Sequence, residues 1–183
     1  IWTIYLGLTI AATVALSLGG MSVFESVCHA MSTTATGGFS TRQGSIAAFN
    51  SSYIEYVILI FMFLSGINFS LLYLFFLKGK VRKLFQDTEL KWYISTVLFF
   101  TVLITIGLLT SSSISIEEAF RKASFLVVSL QTTCGFITAD YMQWAPPLWM
   151  LTTIITYCGA CAGSTSGGIK CIRSVIMARI AKN

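Results

Sequence analysis

Long uninterrupted apolar stretches dominate the hydrophobic pattern of this 183-residue chain. The first charged side chain is Glu25, so the apolar run before it is longer than the roughly 20 residues that cross a bilayer as a helix. The pattern predicts spans at about 1–20, 53–77, 92–110 and 148–158, the last continuing at 169–181 after an interruption.

Two shorter segments between these spans are helical in pattern but too short, and too polar at their ends, to cross a membrane. They cover about 22–34 and 116–132, and each ends in a turn that contains Thr and Gly. Irregular backbone at membrane depth is tolerated only where protein or water satisfies its polar groups. We therefore predict two re-entrant pore helices.

The chain also contains an internal repeat. Placing Thr36 over Thr133 also places Gly38 over Gly135 and superposes the flanking spans. The same alignment extends to three further pairs, Ser32 with Ser129, Phe39 with Phe136 and Thr41 with Thr138. Repeats of this kind supply parts of one pathway in many transport proteins.

The predicted fold is therefore an all-α membrane protein built from repeated helix–pore-loop–helix (M1-P-M2) units of the potassium-channel type. Residues 1–77 form one unit and residues 92–183 form another, and a basic loop at 78–91 joins them. The abrupt ends of the sequence lead us to expect a piece of a larger protein.

Composition and charge agree with a membrane protein. The chain is 55% hydrophobic and 10% charged with a mean hydropathy of +0.79, whereas soluble domains are about 25% charged. Its net charge of +5 comes largely from the 78–91 loop and the segment after Ile169. Under the positive-inside rule both should be cytoplasmic, which places the pore-helix entrances outside and argues against nucleic-acid binding. We expect a multi-pass membrane protein.

Enzyme and metal chemistry find little support. The chain has one histidine, His29, and seven carboxylates, mostly near predicted interfaces, so no converging catalytic set is evident. Cys158 and Cys161 have a zinc or redox spacing, but no second ligand pair exists. We expect free cysteines, a packed histidine, no cofactor and no enzyme activity.

The Thr/Gly turns carry the candidate chemistry. A cation that sheds water needs closely spaced oxygen ligands without a trapping anion, and aligned backbone carbonyls supply them. Gly38 and Gly135 stand where such a turn needs conformations that a Cβ resists, and Thr36 and Thr133 can add oxygen ligands. A pore helix that ends at the turn directs its negative dipole end to the ion, which favours a cation.

A Gly-rich interruption at 159–168 breaks the last span. At membrane depth it must line a cavity or a protein contact, so it is either a movable gate or a site of close helix packing. The candidate gate residues are Gly159, Gly163, Ser164, Thr165, Ser166, Gly167 and Gly168. A phosphate-binding loop is disfavoured because Ile169-Lys170-Cys171 follows where Lys-Ser/Thr is required.

Two polar residues near the turns have secondary roles. Asn68 lies within a predicted span and is expected to hydrogen-bond a pore helix or the filter backbone as a brace. Asp140 follows the second turn, where it either concentrates cations or is an ordinary solvated carboxylate.

Several motifs together resemble the Trk/Ktr/HKT superfamily of potassium transporters, in particular bacterial TrkH. They are Gly20-Met-x-x-Phe-Glu-x-x-x-His29-Ala, Ala35-Thr-Gly-Gly-Phe-Ser-Thr41, Ser65-Gly-Ile-Asn-Phe69, Thr132-Thr-Cys-Gly-Phe-Ile-Thr-Ala-Asp140 and Gly163-Ser-Thr-x-Gly-Gly-Ile-Lys170. The resemblance covers nearly the whole chain. It implies four repeats around one pore in a bacterial cytoplasmic membrane, and this chain corresponds to the second and third of them.

The resemblance also implies specific roles. Gly38 and Gly135 would be filter glycines, and Thr36, Gly37, Thr133 and Cys134 would supply the surrounding carbonyls to K⁺. The 159–168 segment would be an intramembrane gating loop. Implied partners are membrane lipid, the remaining repeats, a second copy in a homodimer, and a cytosolic TrkA-like nucleotide-binding regulatory subunit.

The function expected from the sequence is potassium uptake through a carbonyl-lined filter. A sodium- or proton-coupled carrier is one alternative, although no ionisable residue is convincingly placed at mid-membrane. A structural subunit of a transporter is the other. The sequence leaves K⁺ against Na⁺ preference, ion coupling and the regulatory ligand open.

Overall fold

The computed structural model describes residues 2–76, 78–79, 86–112 and 114–182, with only the backbone at 178, 179, 181 and 182. Lys80, Arg82 and Lys83 of the predicted basic loop therefore lie outside the described residues. The regular elements of the described part are all helices, and these residues contain no strand, in agreement with the predicted all-α class with M1-P-M2 units. The α-helices are α1 Trp2–Leu18, α2 Val23–Thr34, α3 Ser52–Ser65, α4 Phe69–Phe76, α5 Thr88–Ser111, α6 Ile116–Gln131, α7 Pro146–Tyr157 and α8 Cys171–Lys182.

Each half places its pore helix against the preceding span. In the first half α1 packs on α2, and in the second half α5 packs on α6. The halves meet where α3 contacts α6, so the span of one unit covers the pore helix of the other. Phe125 and Val127 on α6 are completely buried.

The spans keep a broad apolar surface on the outside. Leu6, Ile10 and Val14 on α1 and Phe99 and Ile106 on α5 are each more than half exposed. Among the described residues, α5 alone is long and apolar enough to cross a membrane as a single helix, while α1 is apolar but has 17 residues. Such a surface fits contact with lipid or with further helices.

The span expected at 53–77 is broken. Helix α3 ends at Ser65, α4 begins at Phe69, and the two axes differ by 104°. Two backbone hydrogen bonds connect the break to residues far along the chain. The Cys161 amide donates to the Gly66 carbonyl at 3.1 Å, and the Phe69 amide donates to the Gly163 carbonyl at 3.1 Å. The backbone groups freed by the bend thus pair with the Gly-rich segment.

Candidate functional site

Both pore helices begin at a serine cap and carry acid in their first turn. Ser22 Oγ accepts from the Glu25 amide at 3.3 Å, while the Glu25 carboxylate accepts from the Ser22 amide at 3.2 Å. Ser115 Oγ accepts from the Glu118 amide at 3.2 Å. These caps satisfy free amides and place negative charge at the positive helix end. The opposite, negative ends of α2 and α6 lead into the two Thr/Gly turns.

The two turns have matching backbone geometry. Thr36 has a φ of 52° and Thr133 a φ of 57°, while Gly38 and Gly135 follow at 69° and 87°. A β-branched residue with positive φ is uncommon, so the same unusual conformation at two aligned threonines is specific to this turn.

A serine from the last turn of each pore helix braces the turn that follows. The Gly37 amide donates to the Ser32 carbonyl at 2.7 Å, and the Cys134 amide donates to the Ser129 carbonyl at 2.9 Å. The hydroxyls act in opposite senses: Ser32 Oγ accepts from the Phe39 amide at 2.7 Å, whereas Ser129 Oγ donates to the Phe136 carbonyl at 2.8 Å. Both serines align in the repeat, although the sequence assigned them no role.

The structure brings the two predicted filter turns into contact. A Cβ on Gly38 would overlap the carbonyl oxygen of Cys134. Beyond the turns, the Ala47 amide donates to the Ile137 carbonyl at 3.2 Å, and the Ile137 amide donates to Ser45 Oγ at 3.2 Å. The turns are therefore fixed relative to each other by backbone packing.

The Gly-rich segment lies directly against these turns. Helix α7 ends at Tyr157, and α8 starts at Cys171. The Gly167 amide donates to Thr133 Oγ1 at 2.7 Å, and Thr165 Oγ1 donates to the Thr34 carbonyl at 2.9 Å. Gly163 and Gly168 have φ values of 80° and 69°. The candidate gate residues and the candidate filter residues thus form one hydrogen-bonded cluster.

Asn68 contacts the Gly-rich segment rather than the parts predicted for it. Its Oδ1 accepts from the Ser70 amide at 2.8 Å, which caps the start of α4. A Cβ on Gly163 would lie 3.0 Å from the Asn68 amide group, so the two are in close contact. The sequence placed this side chain against a pore helix or the filter backbone.

Two buried residues of α5 were missed by the sequence. Glu89 Oε1 accepts from the Ala162 amide at 2.5 Å, which anchors the Gly-rich segment to α5. Tyr93 is fully buried and stacks on Phe63 at 5.1 Å. In the sequence, Glu89 resembles any acid in the first turn of a helix, and no local signal distinguishes it.

The single histidine is packed, as expected, but it also joins two parts of the site. His29 Nδ1 hydrogen-bonds the Glu25 carbonyl at 2.7 Å, so Nδ1 carries a proton, and Nε2 hydrogen-bonds Ser40 Oγ at 2.9 Å. Its ring stacks on Phe136 of the second turn at 6.0 Å. His29 therefore connects α2 to both turns.

Charge at the N-terminal end of α2 is paired. Arg42 Nε lies 2.9 Å from Glu25 Oε1, and its guanidinium sits 4.2 Å from the centre of the Phe49 ring. The Arg42 hydrogen bond, aided by those from Ser22, lowers the pKa of Glu25 from its ordinary value of 4.5. Asp140 accepts from the Met142 amide and from Gln143 Nε2, both at 3.1 Å, so its carboxylate is tied to its own loop.

All five cysteines are free. In the part of the chain that the structure describes, no three His, Cys, Asp or Glu side chains are grouped as metal ligands. The polar groups that join the two turns and the Gly-rich segment are backbone amides, backbone carbonyls and hydroxyls.

Comparisons with known proteins agree with this architecture. A family model described as TrkH, cation transport protein, matches residues 1–182. The Trk system potassium uptake protein TrkH of Vibrio parahaemolyticus serotype O3:K6 is 39% identical over 180 residues, covering 97% of this chain and 37% of that protein. The Trk system potassium uptake protein TrkG of Escherichia coli K12 is 32% identical over 183 residues, covering 100% of this chain and 38% of that protein.

A solved structure shows the same fold. The crystal structure of the potassium transporter TrkH from Vibrio parahaemolyticus matches with a TM-score of 0.92 and 37% identity, covering 99% of this chain and 40% of that chain. The chain thus spans well under half the length of the relatives it matches. On the family match and these similarities, the chain belongs to the TrkH family of cation transport proteins.

Proposed function

We propose that this segment forms part of the potassium-conducting pore of a Trk-type uptake protein, in which it supplies the second and third of four repeats. The observation that carries the proposal is the pair of Thr/Gly turns, which share one unusual backbone conformation and touch at Gly38 and Cys134. Two such turns at the negative ends of two pore helices offer backbone oxygens to a cation.

The filter residues in this proposal are Thr36, Gly37, Gly38, Thr133, Cys134 and Gly135. Their carbonyls replace the hydration shell of K⁺ without covalent chemistry, and Cys134 contributes its backbone oxygen rather than its thiol. The turns are short and close to each other, which supports a narrow pathway.

The proposed gate is the Gly-rich segment 159–168. Its hydrogen bonds to Thr34 and Thr133 at the pore-helix ends support this role. Its positive-φ glycines also support it, because they adopt conformations that other residues rarely take. Movement of this segment would open the path below the filter.

The setting we propose is a bacterial cytoplasmic membrane, crossed several times, with the basic segments on the cytoplasmic side. The exposed apolar faces of α1 and α5 suit lipid or the remaining repeats. A homodimer and a TrkA-like nucleotide-binding regulator are further parts of the proposal, since relatives are named as components of a Trk system.

A coupled carrier is less well supported. It would use an ionisable group near mid-membrane. Glu55 is the one carboxylate on the described spans of the first half, and its Oε2 is paired with Arg121 Nη1 at 2.6 Å. That pairing leaves it poorly suited to carry a proton or to bind sodium.

The test compares the uptake of rubidium with the uptake of sodium into liposomes that contain the full-length protein carrying these residues. Gly135→Ser is expected to reduce the rubidium/sodium ratio by about tenfold, because one lost ion–carbonyl interaction of about 1.4 kcal/mol changes an equilibrium tenfold. Gly20→Ser is the matched control: Gly20 also has positive φ, 91°, and open space around it, but it lies between α1 and α2.

Absent flux, or a ratio that Gly135→Ser leaves unchanged, would contradict the proposal. An equal loss of selectivity in both glycine variants would also contradict it, because backbone strain alone would then explain the effect. Normal assembly of each variant is verified by gel filtration before the uptake measurement.

A further inference from the structure

Backbone hydrogen bonds join the two ends of the Gly-rich segment. The Gly159 amide donates to the Ile169 carbonyl at 2.9 Å, and the Cys171 amide donates to the Ala160 carbonyl at 3.1 Å. These bonds join its two ends, while Glu89 holds its Ala162 amide from α5. The segment therefore presents a defined tip, residues 164–168, to the pore-helix ends.

The tip offers hydrogen-bond donors to oxygens at the base of both turns. Thr165 Oγ1 donates to the Thr34 carbonyl, the last carbonyl of α2, and the Gly167 amide donates to Thr133 Oγ1. A Cβ on Gly167 would lie 3.1 Å from the same oxygen, so only a residue as small as glycine fits there without displacement.

The two aligned threonines differ in this respect. Thr36 Oγ1 donates to the neighbouring Ala35 carbonyl at 2.7 Å, whereas Thr133 Oγ1 accepts from the tip. The tip thus acts on the two repeats through different oxygens: a helix-terminal carbonyl in the first and a filter hydroxyl in the second. A backbone carbonyl and a hydroxyl are both oxygen ligands of the kind that a dehydrated cation accepts.

We propose that the tip and the permeant cation compete for the Thr34 carbonyl and the Thr133 hydroxyl, and that Thr165 is the positioning residue of this competition. A hydroxyl donor and an amide donor occupy these oxygens when the segment is seated, and a cation occupies them when it withdraws. By linkage, cation binding at the base of the filter must then loosen the segment to the same extent that the seated segment weakens cation binding. This inference rests on the proposed function.

The test measures amide hydrogen exchange of residues 158–170 in the full-length protein, in rubidium and in choline. In the wild type, rubidium is expected to accelerate exchange of this segment. Thr165→Val keeps the branched shape but lacks the donor, and should exchange about fivefold faster in choline, the factor expected for one lost hydrogen bond. Rubidium should accelerate the exchange of this variant less than that of the wild type. Thr165→Ser keeps the hydroxyl and should behave as the wild type.

Thr153→Val is the control, because the Thr153 hydroxyl donates to the Trp149 carbonyl within α7, away from the tip. Exchange that ignores rubidium in the wild type would overturn the inference. So would a Thr165→Val segment that exchanges as the wild type does, or a Thr165→Ser segment that exchanges as the valine variant does.

Rubidium uptake on the same samples separates this inference from the proposed function. Selective uptake that depends on Gly135, together with exchange that ignores rubidium, overturns the competition alone. Uptake that is absent or unselective overturns the proposed function and the competition with it.

Discussion

At the residue scale, the turns depend on two threonines as much as on their glycines. Thr36 and Thr133 adopt a left-handed conformation that costs a β-branched residue roughly 1–2 kcal/mol. Sequence reasoning located both turns and both glycines, because Thr-x-Gly-Phe recurs at the end of each pore helix. It assigned positive φ to the glycines alone, since no local rule places a threonine there, and the braces from Ser32 and Ser129 become visible only in three dimensions.

Gly38 and Gly135 should respond differently to alanine. Both have positive φ, which costs about 1–2 kcal/mol with a Cβ. At Gly38 the Cβ would also overlap the Cys134 carbonyl, whereas at Gly135 nothing lies within 4 Å. Gly38→Ala is therefore expected to lower the melting temperature in detergent clearly more than Gly135→Ala. Equal losses would contradict the packing of the two turns.

The Glu25–Arg42 pair predicts a dependence on acid. Because the folded-state pKa of Glu25 lies below 4.5, the pair stabilises the fold above that pH, and the contribution disappears as pH falls through the folded-state pKa. Between pH 6 and about pH 3, the melting temperature of Glu25→Gln should fall less steeply than that of the wild type.

Arg42→Gln provides the complementary variant, since it keeps the carboxylate and removes its main partner. It should flatten the same part of the curve. A wild-type slope in both variants would show that this pair has no part in the acid sensitivity.

At the element scale, uninterrupted apolar runs identified the spans, and short length, polar ends and a terminal Thr/Gly turn identified the pore helices. The break between α3 and α4 was not predicted, although Gly66 and Asn68 mark its place. One glycine in an apolar run is compatible with an unbroken helix. The bend depends on the Gly163 and Cys161 backbone groups that pair with the break, and these come from about a hundred residues further along the chain.

The break is also a site of close packing, and a double substitution can test it. A Cβ on Gly66 would overlap Tyr93 Oη and lie 2.9 Å from Thr132 Cγ2. Gly66→Ala should destabilise the protein by about 1–3 kcal/mol, the usual cost of overpacking. Adding Tyr93→Phe removes the hydroxyl and should recover part of that loss in thermal unfolding. If the double variant loses as much stability as the two single variants together, the contact between Gly66 and Tyr93 is contradicted.

At the scale of the whole molecule, the halves are joined by a buried ion pair that the sequence did not connect. The Arg121 guanidinium on α6 reaches Glu55 on α3 at 2.6 Å and Glu117 at 3.1 Å. The side chains of Arg121 and Glu55 are 13% and 10% exposed. In the sequence, Arg121 stands near Glu117 and Glu118, and a local charge pattern carries no information about which distant span covers a helix.

Removing Arg121 should therefore be costly. Arg121→Ala leaves the Glu55 charge buried and unpaired, which typically costs about 3–5 kcal/mol. Lys122→Ala is the matched control on the next residue: Lys122 pairs with Glu118 within the same helix and is more exposed, so the expected loss is about 1 kcal/mol or less. Thermal or denaturant unfolding in detergent would measure both, and similar losses would contradict the role of Arg121 in joining the halves.

Because of the contacts between the halves, the first unit cannot be completed before the second has been synthesised. The first turn is closed by groups that appear late in the chain, with Cys134 against Gly38, Ile137 on Ala47 and Thr165 on Thr34. Because domains form as the chain emerges during synthesis, the first unit must wait in the membrane unfinished while some hundred further residues are inserted. Until then its Thr/Gly turn lacks these partners, so a nascent chain arrested in that interval is exposed to chaperones and membrane proteases.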